Sequence, residues 1–258
     1  MNDILEELSA LRRVDAEESA KTIPYESLIK QIGTMAAPRD FRAAFRGEGV
    51  HILAELKKAS PSEGLIRADF PVVELAQGLE RAGAAALSIL CEPHRFRGGR
   101  VYLSAVRGAV DLPLLCKDFI TTPYQVAAAR AAGADAILLI AAVLPDEQLL
   151  ALRQLAHDFG MVALVETHTA AEIRRAVDLG CEIIGVNCRD LRTFHTDPAI
   201  TESLIGTIPA DRTRIAESGM RTASDIRRLR AAGADGFLIG TALMKEDRPA
   251  DKLKELLI

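Results

Sequence analysis

Glu55, Lys57, Lys117, Glu166, Asn187, Arg189 and Glu217 are the residues whose types and positions point to chemistry. Each stands at or just past the C-terminal end of a short apolar run. Glu55 and Lys57 close the run that starts at Ile52, and Lys117 closes Leu112 to Cys116. Glu166 follows Met161 to Val165, Asn187 and Arg189 follow Ile183, and Glu217 follows Arg214 to Ala216. Carboxylates and lysines together can give and take protons, while amide and guanidinium groups fix a polar ligand. Singly, each has a plainer reading. Glu55 with Lys57 suits a structural ion pair, Lys117 with Asp118 a solvated strand end, and Asn187 with Arg189 a loop tie. Glu166 with His168 suits a rim hydrogen bond or a metal pair lacking its third ligand. Jointly they read as one site, because packing alone would not choose ionisable groups at so many equivalent positions.

The elements that would position them repeat along the chain. Gly83, Gly133, Gly180 and Gly233 lie about 50 residues apart, each ending a helical segment just before an apolar run. One further apolar run falls between each pair, so the unit is a strand plus a helix of about 25 residues. Strand–helix alternation implies parallel strands and right-handed crossovers. Eight such units in 258 residues predict an α/β fold, a (β/α)8 TIM barrel, whose sites lie at the C-terminal rim. No Gly-x-Gly-x-x-Gly turn follows the first strand, which argues against a dinucleotide-binding open sheet. Helical spacing over 2–14 and 25–35, with Pro24 and Pro38 as helix starts, predicts an N-terminal helical extension over residues 1–47. With no low-complexity linker, residues 1–258 read as one barrel domain.

Two turns suggest a phosphate. Ser218 and Gly219 follow the seventh strand, and Gly240 and Thr241 follow the eighth. Backbone N–H groups in such turns bind phosphate on many barrels of this kind. A net charge of −4 argues against a nucleic-acid surface but permits a small anion held by local cations. The longest apolar run, Ala136 to Leu144, is far shorter than the ~20 residues that cross a bilayer. Cys91, Cys116, Cys181 and Cys188 form no CxxC pair and read as reduced thiols. With an N-terminus unlike a signal peptide, a cytoplasmic protein is expected, with no membrane or nucleic-acid partner, as a monomer or weak homodimer.

Ala54–Ser62 (AELKKASPS), Cys116–Ile120 (CKDFI) with Pro123–Gln125 (PYQ), Leu164–Thr169 (LVETHT), Gly185–Leu191 (GVNCRDL) and Ala216–Gly219 (AESG) resemble the indole-3-glycerol phosphate synthase family. The resemblance runs along essentially the whole chain. It implies ring closure, decarboxylation and dehydration of 1-(2-carboxyphenylamino)-1-deoxyribulose 5-phosphate in tryptophan biosynthesis, with no metal and no organic cofactor. It also implies roles. Lys117 would be the general acid at the substrate carbonyl, and Glu166 the acid–base partner near the substrate nitrogen. Glu55 and Lys57 would serve dehydration, and Asn187 and Glu217 would fix hydroxyls and side chains. Ser60 and Arg189 would hold the anthranilate carboxylate. Pro61, Phe96, Phe119 and Leu191 would wall the aromatic ring. Ser218 would bind substrate, with Lys57, Gly219, Gly240 and Thr241 at the phosphate. Thr241 stands where the family often has Ser, which keeps the hydroxyl. An apolar wall and a nearby arginine would lower the Lys117 pKa, whereas opposing glutamates would keep it charged. Residue types alone leave that contest open. Two other readings are a catalytically silent phosphate-binding barrel and phosphoribosylanthranilate isomerase. The latter needs a cysteine–aspartate pair, where this first strand ends in Glu55 and Lys57.

Overall fold

The computed structural model describes residues 4–189 and 196–258. Eight parallel strands close into a barrel: β1 (Ile52–Leu56), β2 (Ala86–Leu90), β3 (Leu114–Lys117), β4 (Ala136–Ile140), β5 (Val162–Thr167), β6 (Ile183–Asn187), β7 (Thr213–Glu217) and β8 (Gly236–Ile239). The last strand pairs back onto the first, with Leu53 opposite Leu238, so no edge is left open. Helices α1 (Ile4–Thr22) and α2 (Tyr25–Ile32) precede the barrel. After β1 a short hairpin pairs Ala59–Ser60 with Gly64–Leu65. Then come α3 (Val72–Arg81), α4 (Arg100–Arg107), α5 (Pro123–Ala131), α6 (Asp146–Asp158), α7 (Ala170–Asp178), α8 (Pro198–Ile205), α9 (Ala223–Ala231), the four-residue α10 (Thr241–Met244) and α11 (Pro249–Leu256).

Strand parity sorts the apolar residues into two layers. Leu53, Leu115, Leu138, Leu164, Ile215 and Leu238 fill the barrel interior. Their neighbours Ile52, Ala54, Leu114, Ile137, Val165 and Ala216 pack outward against the helices. The period of two therefore aims Glu55, Lys117, Glu166 and Glu217 inward at the mouth, two residues above the interior apolar layer. Helix starts are locally encoded. Thr122 accepts the Gln125 N–H while Gln125 reaches back, a reciprocal cap that Thr222 and Asp225 repeat at α9.

The extension departs from its expected outline. Helix α1 runs on to Thr22, well past residue 14, because Asp15 to Lys21 keep good helix formers and the stop comes only before Pro24. Pro24 caps α2 as expected, but Pro38 starts no helix. Its ring instead packs on Gly160, in a segment leading to a 3₁₀ turn at Ala43–Phe45. That turn drives Phe41 and Phe45 into the barrel interior, edge to face at 5.2 Å. Strand β3 begins at Leu114, not Leu112, since Pro113 has no N–H to give to a ladder. The β4 apolar run turns after Ile140, where Ala141 to Leu144 cover the rim.

Gly236 is what admits the aromatic floor. A Cβ there would lie 2.5 Å from Phe45 Cδ1 and 2.7 Å from Ile215 Cδ1. Gly236→Ala is therefore expected to lower stability by about 1–3 kcal/mol through overpacking, read as a shifted urea midpoint with unchanged slope. An unchanged midpoint would contradict this account of the floor.

Candidate active site

Lys117 sits at the centre of the mouth. Its Nζ donates to Glu166 Oε2 at 3.0 Å and to Glu217 Oε2 at 3.1 Å. Both carboxyl groups are almost fully buried, so this is a desolvated cation between two carboxyls. Burial lowers the lysine pKa, but Glu166, Glu217 and Glu55 outweigh it and hold the ammonium well above its ordinary value. The contest that residue types left open is thus decided by the glutamates. With one ammonium for two carboxylates, one carboxyl keeps its proton more tightly. Burial and the adjacent Glu166 push Glu217 up to about 8, against the pull of Lys117. Glu166 goes the other way, since Lys117 and His168 overcome its desolvation.

Two glycines make this arrangement possible. A Cβ on Gly185 would lie 2.1 Å from Glu217 Oε1, and one on Gly240 would lie 2.1 Å from Glu55 Oε2. Gly240 was expected to serve phosphate approach, yet its immediate steric duty is to seat Glu55. Glu217 Oε1 is buried against Gly185 without a hydrogen-bond partner. Glu55 Oε2 pairs with Lys57 Nζ at 2.6 Å. Lys57 itself lies one residue beyond β1, so its ion pair with Glu55, not the strand ladder, holds it at the mouth. His168 stands 3.5 Å from Glu166 Oε1 and 3.7 Å from Glu172 Oε2. Burial lowers its pKa, but these two carboxylates together raise it. Among the described residues no group of three His, Cys, Asp or Glu could hold a metal ion.

Two connected cavities open from this centre. One, about 800 Å³ including its mouth, is lined by Lys117, Glu166 and Glu217 below and by Phe96, Phe119, Leu138 and Ile140 at the sides. Ser60, Pro61, Asn187 and Ser218 also face it. Phe96 and Phe119 pack together at 6.3 Å between centroids. The Arg189 side chain donates to Ser62 Oγ, and Ser62 Oγ lies 3.4 Å from Ser60 Oγ, so these polar groups meet at one edge. Asn187 Oδ1 accepts the Arg189 N–H at 3.0 Å and fixes the chain leaving β6. The second cavity, about 1200 Å³ including its open side, shares Glu55, Lys57, Arg189 and Ser218 with the first. It adds Gly219, Gly240 and Thr241, with Arg221, Lys245 and Lys252 around them. Cations outnumber carboxylates there. Ser218 adopts φ +67° and Gly219 φ +80°, a left-handed pair that turns the chain sharply off β7.

Every expected site residue except Leu191 lies on these cavities; Leu191 falls outside the described residues. Residue reasoning missed Leu5 and Leu8 of α1, Ser62, Arg221, Lys245 and the steric role of Gly185. Strand parity could have supplied Leu138 and Ile140. Nothing in the spacing of α1 says which barrel edge it covers. The four cysteines are free and buried, and Cys188 donates to the Glu217 carbonyl.

Comparison with known proteins agrees with the motifs. The indole-3-glycerol phosphate synthase family model matches residues 5–256. The chain belongs to the indole-3-glycerol phosphate synthase family. The enzyme of that name from Acidithiobacillus ferrooxidans is 44% identical over 260 aligned positions, covering 99% of each chain. That of Micrococcus luteus is 43% identical, covering 97% of this chain and 96% of its own. Among solved structures, 3-hexulose-6-phosphate synthase from Salmonella typhimurium superposes with TM-score 0.66 at 13% identity, over 80% of this chain and 96% of that one. N-acetylmannosamine-6-phosphate 2-epimerase from Clostridium perfringens gives 0.63 at 16%, over 84% and 95%. These last two speak for the barrel fold alone. No helix among the described residues is long and apolar enough to cross a membrane.

The carboxyl pair sets a pH test. A Glu217 pKa raised from 4.5 to about 8 gives stability that is full below pH 4.5 and lost as pH rises through 8. Between pH 5 and 8 the unfolding free energy of wild type should fall more steeply than that of Glu217→Gln, by up to about 1.4 kcal/mol per pH unit. Parallel profiles would contradict the assignment of the raised carboxyl.

Proposed function

We propose that this site converts 1-(2-carboxyphenylamino)-1-deoxyribulose 5-phosphate to indole-3-glycerol phosphate, with Lys117 as the general acid. The observation that carries it is the Lys117 ammonium, held between Glu166 and Glu217 in an apolar cavity that adjoins a basic one along Glu55, Lys57, Arg189 and Ser218. Such a cavity pair suits a substrate with an aryl group at one end and a phosphate at the other.

In the first step the ring carbon bearing the carboxylate attacks the ketone carbon. The C–C bond forms, the carbonyl electrons move to oxygen, and that oxygen takes the proton from Lys117. A lysine pKa raised by carboxylates makes a weak acid toward water but an adequate one toward a developing alkoxide, which is more basic still. The positive charge also stabilises the oxyanion in a dry site, before transfer is complete. Carbon dioxide then leaves, and its bonding electrons restore the aromatic ring. The hydroxyl departs as water with a proton from the Glu55–Lys57 pair, and Glu166, beside the nitrogen, accepts the proton lost from the adjacent methylene carbon, so the ring double bond forms and the nitrogen keeps its N–H. Asn187 and Glu217, both on the cavity that Lys117 lines, hold substrate hydroxyls. Ser60 and Arg189 bind the anthranilate carboxylate, with Ser62 beside them. Pro61, Phe96 and Phe119 wall the ring. Lys57, Ser218, Gly219, Gly240 and Thr241 take the phosphate end, where the first N–H groups of α10 have no helical acceptor.

All proton-transfer groups are present, which speaks against a silent binding barrel. Among the described residues no cysteine lines the cavity that holds Lys117, which speaks against the isomerase reading. The test is incubation of pure protein with the carboxyphenylamino substrate while indole fluorescence is followed. Fluorescence should grow with wild type and vanish with Lys117→Ala, whose substrate affinity should stay within about tenfold because both anchors remain. A silent wild type would overturn the reading, and turnover by Lys117→Ala at the wild-type rate would overturn the role of Lys117.

A further inference from the structure

Helix α1 is tied to the rim by ion pairs that the chemistry above does not use. Arg12 Nε donates to Asp118 Oδ1 at 2.8 Å and Arg12 Nη2 to Asp118 Oδ2 at 2.6 Å. Both residues are at most 5% exposed. Arg12 Nη1 also reaches Asp15 Oδ2 at 2.6 Å, and the same oxygen lies 2.8 Å from His94 Nε2. One turn earlier, Glu7 accepts from Arg95 at 2.8 Å.

What these pairs grip is specific. Asp118 is the residue after Lys117, and its Oδ1 also accepts the Phe119 N–H at 2.9 Å. His94 and Arg95 belong to the loop after β2, whose turn is wound around Glu92. That buried carboxylate accepts the N–H groups of His94, Arg95 and Phe96 at 2.7, 2.7 and 2.8 Å. The helix therefore holds both segments that supply the Phe96–Phe119 pair, and one of them supplies Lys117.

We propose that Arg12 is a positioning residue for the reaction, setting the place of Lys117 and Phe119 through its two-pronged grip on Asp118. Both Asp118 oxygens are engaged by a planar fork, which fixes the carboxylate's orientation as well as its charge. Take the guanidinium away and a buried carboxylate is left uncompensated beside the acid. It must then turn toward water, carrying the Lys117–Phe119 backbone with it, which misplaces the proton donor and opens it to solvent. The phosphate end, built on β7, β8 and α10, shares none of these contacts and should bind as before.

This inference rests on the proposed reaction, so two readouts are needed. At temperatures where each variant is folded by circular dichroism, Arg12→Met should lose about 100-fold in kcat, the scale for ~1 Å displacement of a catalytic group, with KM within about threefold. Arg12→Lys, which keeps the charge and loses the fork, should fall between, and it carries the test if Arg12→Met does not fold. The double variant Arg12→Met/Asp118→Asn should be no slower than Asp118→Asn alone, because the two act as one unit. The second readout needs no turnover: acetic anhydride labelling of Lys117, followed by peptide mass mapping, should rise at least about tenfold in either Arg12 variant. Wild-type kcat in the folded variants, or a raised KM with kcat intact, would overturn the proposal. If wild type itself is silent toward the substrate, the reaction reading fails and the labelling alone decides. Unchanged labelling then overturns the positioning role.

Discussion

Everything at the barrel mouth depends on one desolvated ammonium shared by two buried carboxylates. A lysine buried among apolar strands would ordinarily surrender its proton, and a carboxylate there would ordinarily take one. Lys117 and Glu166 remain ionic because each supplies what burial removes from the other. The spare carboxylate is the exception, and it resolves as a Glu217 that keeps its proton up to about pH 8. Such a cluster tolerates little displacement, since Coulomb energy in a dry site changes steeply with distance. That requirement explains the glycines at 185 and 240, where any side chain would collide with Glu217 or Glu55.

The ligand space beside this cluster has two parts. On the α1 side the walls are Leu5, Leu8, Phe96, Phe119 and Leu138, suited to a flat apolar group. On the α10 side Arg221, Lys245 and Lys252 stand around half-buried turns, suited to an anion. Among the described residues only Glu55, Lys57, Arg189, Ser218 and Leu238 belong to both. A molecule spanning the two is held by its ends, leaving its middle against the proton-transfer groups. Binding free energy gained at the ends then positions the reacting atoms, which is how remote contacts contribute to rate.

Much of this was legible in the residues. Period-two alternation carried Glu55, Lys117, Glu166 and Glu217 to the correct face, because a closed barrel allows only one inward parity. The glycine-ended helices gave the repeat, and the motifs gave the family. Less visible were features that need two distant segments in contact. The path of α1 depends on the Arg12–Asp118 pair, 106 residues apart, which no local pattern announces. Pro38 looked like a helix start, but tertiary packing on Gly160 decided its conformation. Gly240 was read for the phosphate, while the structure gives the Glu55 carboxylate as its nearest constraint. The pKa of Lys117 was undecidable from types, since burial and charge push it in opposite directions and only the 3.0 and 3.1 Å distances settle which wins.

The protonation of Lys117 is the central claim, and it can be read without turnover. Protein carrying ¹⁵N at the lysine Nζ, with the Lys117 signal assigned by its loss in Lys117→Arg, would be titrated by NMR from pH 7 to 11. The account predicts an ammonium signal that persists past pH 10.5, the ordinary lysine value, because Glu166 and Glu217 hold the charge. A Lys117 signal that titrates below pH 9 would mean that desolvation wins, and would contradict the ion cluster on which the site is built.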